Sequence, residues 1–242
     1  MRIHRIHTDQ NLEPESEIIL QCGAAHYLTR VLRITPGRSL VLFNGDGIDY
    51  ASEVIKPGKN RVLIRVLSRL PARPESPLHI TLVQALSRGE RMDQTLQKST
   101  ELCVAAFQPL ITQRVEVHIK PDKLEKRMEH WRKTVISACE QCGRAIIPIV
   151  FKPLALGDWL SRTAGVPRLV LEPSADIALV NIKLEDKAEL LVGPEGGFSD
   201  SELALMHLHK IQLASLGPRF LRTETACPAA IAILQSLAGD LR

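Results

Sequence analysis

Aromatic residues make up only 4% of the 242-residue chain, which argues against a nucleic-acid surface built mainly on base stacking. No run approaches the ~20 apolar residues needed to span a bilayer, and the opening MRIHRIHTDQ lacks the apolar core of a signal peptide. The expected location is therefore the cytoplasm. Five cysteines are an odd number for a disulfide framework, and a chain of this length can bury a core without crosslinks. Several catalytic and nucleotide signatures are also missing. There is no G-x-x-x-x-G-K-[ST], no G-x-G-x-x-G at a first strand–helix turn, no H-E-x-x-H and no G-x-S-x-G. Cys139-Glu140-Gln141-Cys142 has metal or redox spacing, but it falls inside a long helical pattern with no second pair to complete four ligands, so no metal is expected.

What is present is ordinary globular material, 45% hydrophobic and 24% charged, with a net charge of +4. The charge is unevenly distributed. Residues 1–70 carry 10 basic and 7 acidic side chains, 71–166 carry 14 and 10, and 167–242 carry 7 and 10. A basic front and an acidic rear fit an RNA-facing part followed by a small-molecule site, and solvated surface charge would look the same.

Residues 1–70 read as short strands around turns, with a hairpin at Asn44-Gly45-Asp46-Gly47, a half-buried strand at NRVLIRVLSRL and one helical stretch over 26–34. This predicts a small β-barrel or sandwich. Prolines 71, 74 and 77 make residues 71–77 a stiff linker. From residue 78 to 242, apolar strands alternate with helices, which predicts a mostly parallel α/β sheet.

Two glycine-containing strand exits carry the chemical signal. The first, Val192-Gly193-Pro194-Glu195-Gly196-Gly197-Phe198-Ser199, leads from a buried strand into a helix that Ser199 or Asp200 can cap. Ligands of open α/β sheets bind at such carboxyl ends, and glycines admit close approach to the main chain. With Glu195 and no Lys or Arg, the loop suits a ligand without phosphates; a plain structural turn has the same pattern. The second, Leu213-Ala214-Ser215-Leu216-Gly217-Pro218-Arg219-Phe220-Leu221-Arg222-Thr223-Glu224-Thr225-Ala226, ends in a last apolar helix, with Thr225 its expected N-cap and Pro228 in its first turn. Arg222 and Glu224 there form either a structural ion pair or one wall of a pocket. A third cluster, Arg88 to Glu101, opens a helix with Arg88, Arg91 and Lys98; it reads as a phosphate-gripping edge or as a solvated face.

Together, VGPEGGF (192–198), LGPRFLRTETA (216–226), Arg91-Met92-Asp93 with Gln97-Lys98-Ser99-Thr100-Glu101-Leu102, Glu140-Gln141-Cys142-Gly143-Arg144 and His26–Arg33 resemble the RsmE-type 16S ribosomal RNA uridine-N3 methyltransferases of the SPOUT superfamily. The resemblance covers essentially the whole chain, in order. Cys103 departs from it, standing on an expected helix where family members carry glycine.

The resemblance implies a PUA-like β-barrel (1–70), a linker (71–77) and a SPOUT α/β domain (78–242) whose C-terminal part forms a trefoil knot, in a homodimer. It implies an enzyme that transfers a methyl group from S-adenosylmethionine to N3 of the uridine at position 1498 of 16S rRNA, in the small ribosomal subunit. The cofactor would lie against Leu171 and Glu172, against Val192, Gly193, Pro194, Glu195, Gly196 and Gly197, and against Leu213, Ala214, Leu216, Gly217, Leu221, Thr223, Thr225 and Ala226. Methylation at N3 needs loss of the imide proton. Arg222 or Arg91 would stabilise negative charge on the uracil oxygens, and Glu224 or Glu101 would orient or accept the proton. RNA would be held by Arg2, Arg5, Arg30, Arg33, Arg88 and Arg144. Alternatives are a SPOUT ribose 2′-O-methyltransferase of tRNA or rRNA, and a non-catalytic ribosome-assembly factor.

Overall fold

The computed structural model describes residues 3–163 and 165–241. The chain divides into two compact units, Met1–Glu75 with Cys139–Ile147, and Ser76–Ala138 with Pro148–Arg242.

In the first unit, β1 (His4–His7), β2 (Glu17–Gln21), β3 (Ser39–Phe43), β4 (Asp49–Pro57) and β5 (Arg61–Leu70) form one sheet in the order β1-β3-β4-β5-β2. All pairings are antiparallel except β1 with β3. The expected hairpin joins β3 to β4. Its turn is fixed by Asp46, whose carboxylate accepts from the Ile48 amide (2.8 Å) and the Tyr50 hydroxyl (2.7 Å). In β5, Val62, Ile64 and Val66 are fully buried while Arg61 and Arg65 face out, the period-two pattern of a half-buried strand. The helical stretch begins earlier than expected. Helix α1 spans Cys22–His26 and widens into a π turn over Tyr27–Val31, burying Ala25 and Leu28 in the sheet's core.

Two arginines expected to meet RNA are internal to this unit. Arg5 pairs with Asp49, donates to the Arg144 carbonyl (2.9 Å) and lies over the Phe43 ring, 4.7 Å from its centroid. Arg144, only 6% exposed, is paired with Glu75. A buried charge is tolerable only when paired and hydrogen-bonded; both guanidinium groups have a carboxylate partner within this unit, and Arg5 leaves its Nε without a hydrogen-bond partner. The reading of Arg5 and Arg144 as an open RNA grip is corrected accordingly. Arg30 and Arg33 are exposed; Arg2 lies outside the described residues.

The second unit is built on seven parallel strands: β6 (His79–Ala85), β7 (Ala106–Ile111), β8 (Ile149–Val150), β9 (Leu154–Ala155), β10 (Arg168–Leu171), β11 (Lys187–Val192) and β12 (Gln212–Ala214). Their order is β12-β10-β11-β6-β7-β8, with β9 also paired to β7. The helices are α2 (Glu90–Glu101), α3 (Pro121–Cys142), α4 (Leu156–Leu160), α5 (Asp200–Leu208) and α6 (Thr223–Ala238); the last four residues of α3 are grouped with the first unit. The strands read as unbroken apolar runs because helices cover both faces. Trp159 and Leu160 of α4 and Met206 of α5 pack with Val83, Val170 and Leu191. Helix α6 packs against α2 and β11, and the buried Cys227 thiol donates to Gln84 Oε1 (2.8 Å).

Two local expectations change here. Helix α6 starts at Thr223 with Arg222 as N-cap, because the Thr225 and Ala226 amides both donate to the Arg222 carbonyl (2.8 Å each). Thr225 is therefore inside the helix. Pro228 is its sixth residue, where a missing N–H leaves the Glu224 carbonyl without its usual helical donor. Cys103 lies beyond α2, not on it, at a backbone φ of 63°. Among the described residues, no helix is long and apolar enough to cross a membrane.

Candidate active site

Strands β12, β10 and β11 are neighbours and run parallel, so their carboxyl ends open at one edge of the sheet. A cleft of about 470 Å³ lies there. This is the position where open α/β sheets bind ligands, and its size is that of a small-molecule site. From the β10 exit it takes Leu171, Glu172 and Pro173; from the β11 exit, Val192, Gly193, Pro194, Glu195, Gly196, Gly197 and Phe198. The segment after β12 adds Leu216, Gly217, Arg219, Phe220 and Leu221, and α6 adds Thr223 and Ala226.

The walls are held by short-range backbone pairing. Glu172 N donates to Ala214 O (3.0 Å), and Ser215 N donates to Ile177 O (2.8 Å), stitching the β10 and β12 exits together. At Gly193, a Cβ atom would stand 2.9 Å from the Phe198 ring, so any side chain would displace the ring or push into the cleft. Gly217 has φ +93°, a conformation costly for other residues. The loop then enters α5 through a capping box: Ser199 Oγ accepts from Glu202 N, and Glu202 Oε2 accepts from Ser199 N (2.9 Å). Glu202 is 3% exposed, and its other oxygen accepts from Gln113 N (2.8 Å) in the turn after β7. The next residue, Arg114, donates from Nη1 to the Gly196 carbonyl (2.9 Å). The glycine loop is thus clamped from the β7 turn by two independent bonds.

The charged groups sort themselves beside this cleft. Arg91 Nη1 lies 2.8 Å from Glu195 Oε1, and its Nε lies 3.8 Å from Glu224 Oε1. The hydrogen bond to Glu195, and then the charges of Glu195 and Glu224, raise the Arg91 pKa above its ordinary value, so it stays charged. Of the two readings left open for Arg222 and Glu224, the ion pair is not the one seen: Glu224 faces Arg91 instead. Arg222 is exposed and has no ion-pair partner among the described residues. The second Glu224 oxygen is buried with no hydrogen-bond partner, an acceptor aligned next to a fixed cation.

Glu101 is not part of this group. It closes the far end of α2, which at 1.5 Å per residue is roughly 15 Å from Arg91, and it pairs locally with Lys98 (3.1 Å). Leu213 packs into the core, Ala214 is fully buried, and Thr225 is exposed; none of the three lines the cleft. Helix geometry explains the last case: Thr223 and Ala226, three apart, share a face, whereas Thr225 does not. Arg88 is exposed and pairs with Glu116 (2.9 Å). It borders a second cleft of about 470 Å³ with Glu90, Arg91, Arg114, Glu116, Glu195 and Gly196. That cleft is walled largely by charged side chains and suits a polar guest, whereas the first offers main chain and apolar groups. Sequence reasoning missed Arg114, which carries no motif signal, along with Phe198, Asp200 and Leu203 of the first cleft; Pro173, Arg219 and Phe220 fall in the strand exit at 171–173 and the loop of residues 214–226, between which the cofactor is expected. Among the described residues, no group of three or more His, Cys, Asp or Glu side chains could hold a metal ion.

Residues 74–235 match the family model for the RNA methyltransferase domain, and residues 23–67 match the RNA methyltransferase PUA domain. The chain is 36% identical to ribosomal RNA small subunit methyltransferase E of Buchnera aphidicola from Schizaphis graminum, over 99% of this chain and 98% of that one. It is 28% identical to the enzyme of the same name from Bacillus subtilis, over 90% of each chain. Among solved structures it resembles a Legionella pneumophila methyltransferase in complex with the cofactor SAM, with TM-score 0.96 and 40% identity over the whole of both chains. It also resembles the Neisseria gonorrhoeae ribosomal RNA small subunit methyltransferase E bound to S-adenosyl methionine, with TM-score 0.93 and 35% identity over the whole of both chains. With the match running through both units and across the sheet edge that forms the cleft, the chain belongs to the ribosomal RNA small subunit methyltransferase E family of RNA methyltransferases.

Proposed function

We propose that this enzyme transfers a methyl group from S-adenosylmethionine to N3 of a uridine in 16S rRNA of the small ribosomal subunit, acting as a homodimer. The observation that carries the reading is the cleft at the β10, β11 and β12 exits, with Gly193 pressed against Phe198. Its residues fit the cofactor. Main chain and apolar groups suit an uncharged adenosine, and the carboxylates of Glu172, Glu195 and Asp200 at its walls suit a cationic ligand. When bound, S-adenosylmethionine supplies a methyl group made electrophilic by a sulfonium.

The chain's own residues have the remaining tasks. Glu224, with one oxygen buried and unpartnered, accepts the uracil N3 proton. Arg91, fixed between Glu195 and Glu224, offers positive charge to the uracil oxygens as that proton leaves, and the exposed Arg222 does so from the loop side. Arg30, Arg33 and Arg88 contact the RNA backbone. Residues 1–70 form a PUA-like barrel, 71–77 a linker and 78–242 the methyltransferase domain. A trefoil knot in that domain is supported by the packing of α6 on the 3-10 turn Leu179–Asn181, inside the loop that follows β10. The partly exposed apolar residues Ile233 and Leu237 of α6 supply a dimer face.

Glu224→Gln is expected to lower turnover about 10²- to 10⁴-fold, the usual worth of a positioned general base, while leaving cofactor affinity within a few-fold by calorimetry. Substrate should be small subunits from cells lacking the enzyme, with nucleoside analysis locating the methyl group. A methyl found on ribose, or cofactor affinity lost along with turnover, would overturn the assignment.

A further inference from the structure

The chain has few aromatic side chains, and one of them is placed where no core can use it. Phe220 is 88% exposed, the highest value among the exposed large hydrophobic residues described. Both tryptophans are buried, at 2% for Trp131 and 1% for Trp159. Phe220 belongs to the lip of the methyl-donor cleft, on the segment that turns at Gly217 (φ +93°) and ends at the N-cap of α6. Arg219 beside it and Arg222 two residues on are both exposed, and neither has an ion-pair partner among the described residues. A flat apolar ring flanked by two uncompensated guanidinium groups is a surface for a nucleobase and its phosphate, because every base has a π-face and arginine matches phosphate.

We infer that Phe220 is a stacking platform for a base of the RNA substrate, with Arg219 holding the adjoining phosphate. This rests on the reading of the cleft as the methyl-donor site, since the substrate must then arrive at this lip. A second copy of the chain fits the lip less well. A two-fold contact centred there would bring like charges together, Arg219 and Arg222 facing their own copies. The ring is an open platform, and a base that has left its helix finds there the stacking it gave up.

The test uses the full-length protein. Because Trp131 and Trp159 are buried, Phe220→Trp introduces one solvent-facing indole, whose emission should be quenched when unmethylated small subunits or a short single-stranded oligoribonucleotide bind. Phe220→Ala should raise the KM for small subunits about tenfold or more, the usual loss for one stacked base. Phe220→Tyr should restore KM, and Phe220→Leu, equally apolar but unable to stack, should not. Unchanged indole emission on saturation with RNA overturns the inference, as does full rescue by leucine. Conversion of the Phe220→Ala protein to monomers in light scattering would reassign the ring to a subunit contact and also overturn it. The quench is read without turnover. Wild-type protein that binds no S-adenosylmethionine would therefore sink the cleft reading while leaving RNA stacking to be judged by itself.

Discussion

Cys103 shows how a single backbone angle sets a residue's worth. Helix α2 stops at Glu101, Cys103 N donates to Thr100 O (3.1 Å), and Val104 N donates to Ser99 O (3.0 Å). Those two bonds define a Schellman ending, whose left-handed position Cys103 occupies at φ 63°. Glycine is the favoured residue there, because a Cβ in that region costs about 1–2 kcal/mol. The cysteine has some compensation, since its sulfur accepts from Ser76 N (3.2 Å). Cys103→Ala and Cys103→Gly both lose that acceptor, and only the glycine relieves the backbone. In urea titrations the glycine variant should be more stable than the alanine variant by about 1 kcal/mol. Equal midpoints would place the strain elsewhere. The helical periodicity of residues 91–101 continues smoothly into Leu102 and Cys103, which is why sequence reading put the cysteine on the helix: periodicity marks a helix's face better than its end.

At the scale of elements, the glycine loop depends on a clamp outside it. Both Glu202 oxygens accept backbone amides, one from its own helix cap and one from the β7 turn. Glu202→Ala strands two part-buried donors and removes a capping box, which should cost roughly 1–3 kcal/mol of stability. Glu202→Gln keeps one good acceptor and should lose less than half of that. Chemical denaturation measures both, and hydrogen exchange at Gly196 and Gly197 should quicken in the alanine variant before global unfolding. The glycine loop itself was legible because strand exit, glycines and helix cap are all local in sequence. The brace from Gln113 and Arg114 was not, since 82 residues separate Arg114 from Gly196 and neither carries a local pattern that announces the other. Glu101 failed for a related reason: it shares a helix face with Arg91's neighbours, but lies two to three turns away along the axis.

For the molecule as a whole, net charge is modest and its use is uneven. Arg5, Arg144 and Arg168 lie in paired, largely buried positions (side chains 13%, 7% and 8% exposed), so a count of basic residues overstates what is available to RNA. Burial of an arginine depends on partners brought from distant segments, such as Arg5 with Asp49, and cannot be read from the local sequence. The exposed Arg30 and Arg33 remain available to phosphates. Replacing both by alanine should flatten the dependence of log affinity for small subunits on log salt by about 1.4–1.8, two phosphate contacts' worth, with cofactor affinity unchanged. An unaltered slope would remove them from the footprint.

The parallel sheet also dictates a schedule. Strand β11 lies between β6 and β10, yet about a hundred residues separate it from β6 in the chain. Until β11 arrives, two sticky ribbons with unpaired amides wait for a bridge, and the pocket's three walls cannot exist. Distant parallel pairings form slowly and leave such ribbons open to wrong partners. Yield of usable enzyme in a producing cell should accordingly track the supply of folding helpers and lowered growth temperature more closely than the supply of methyl donor.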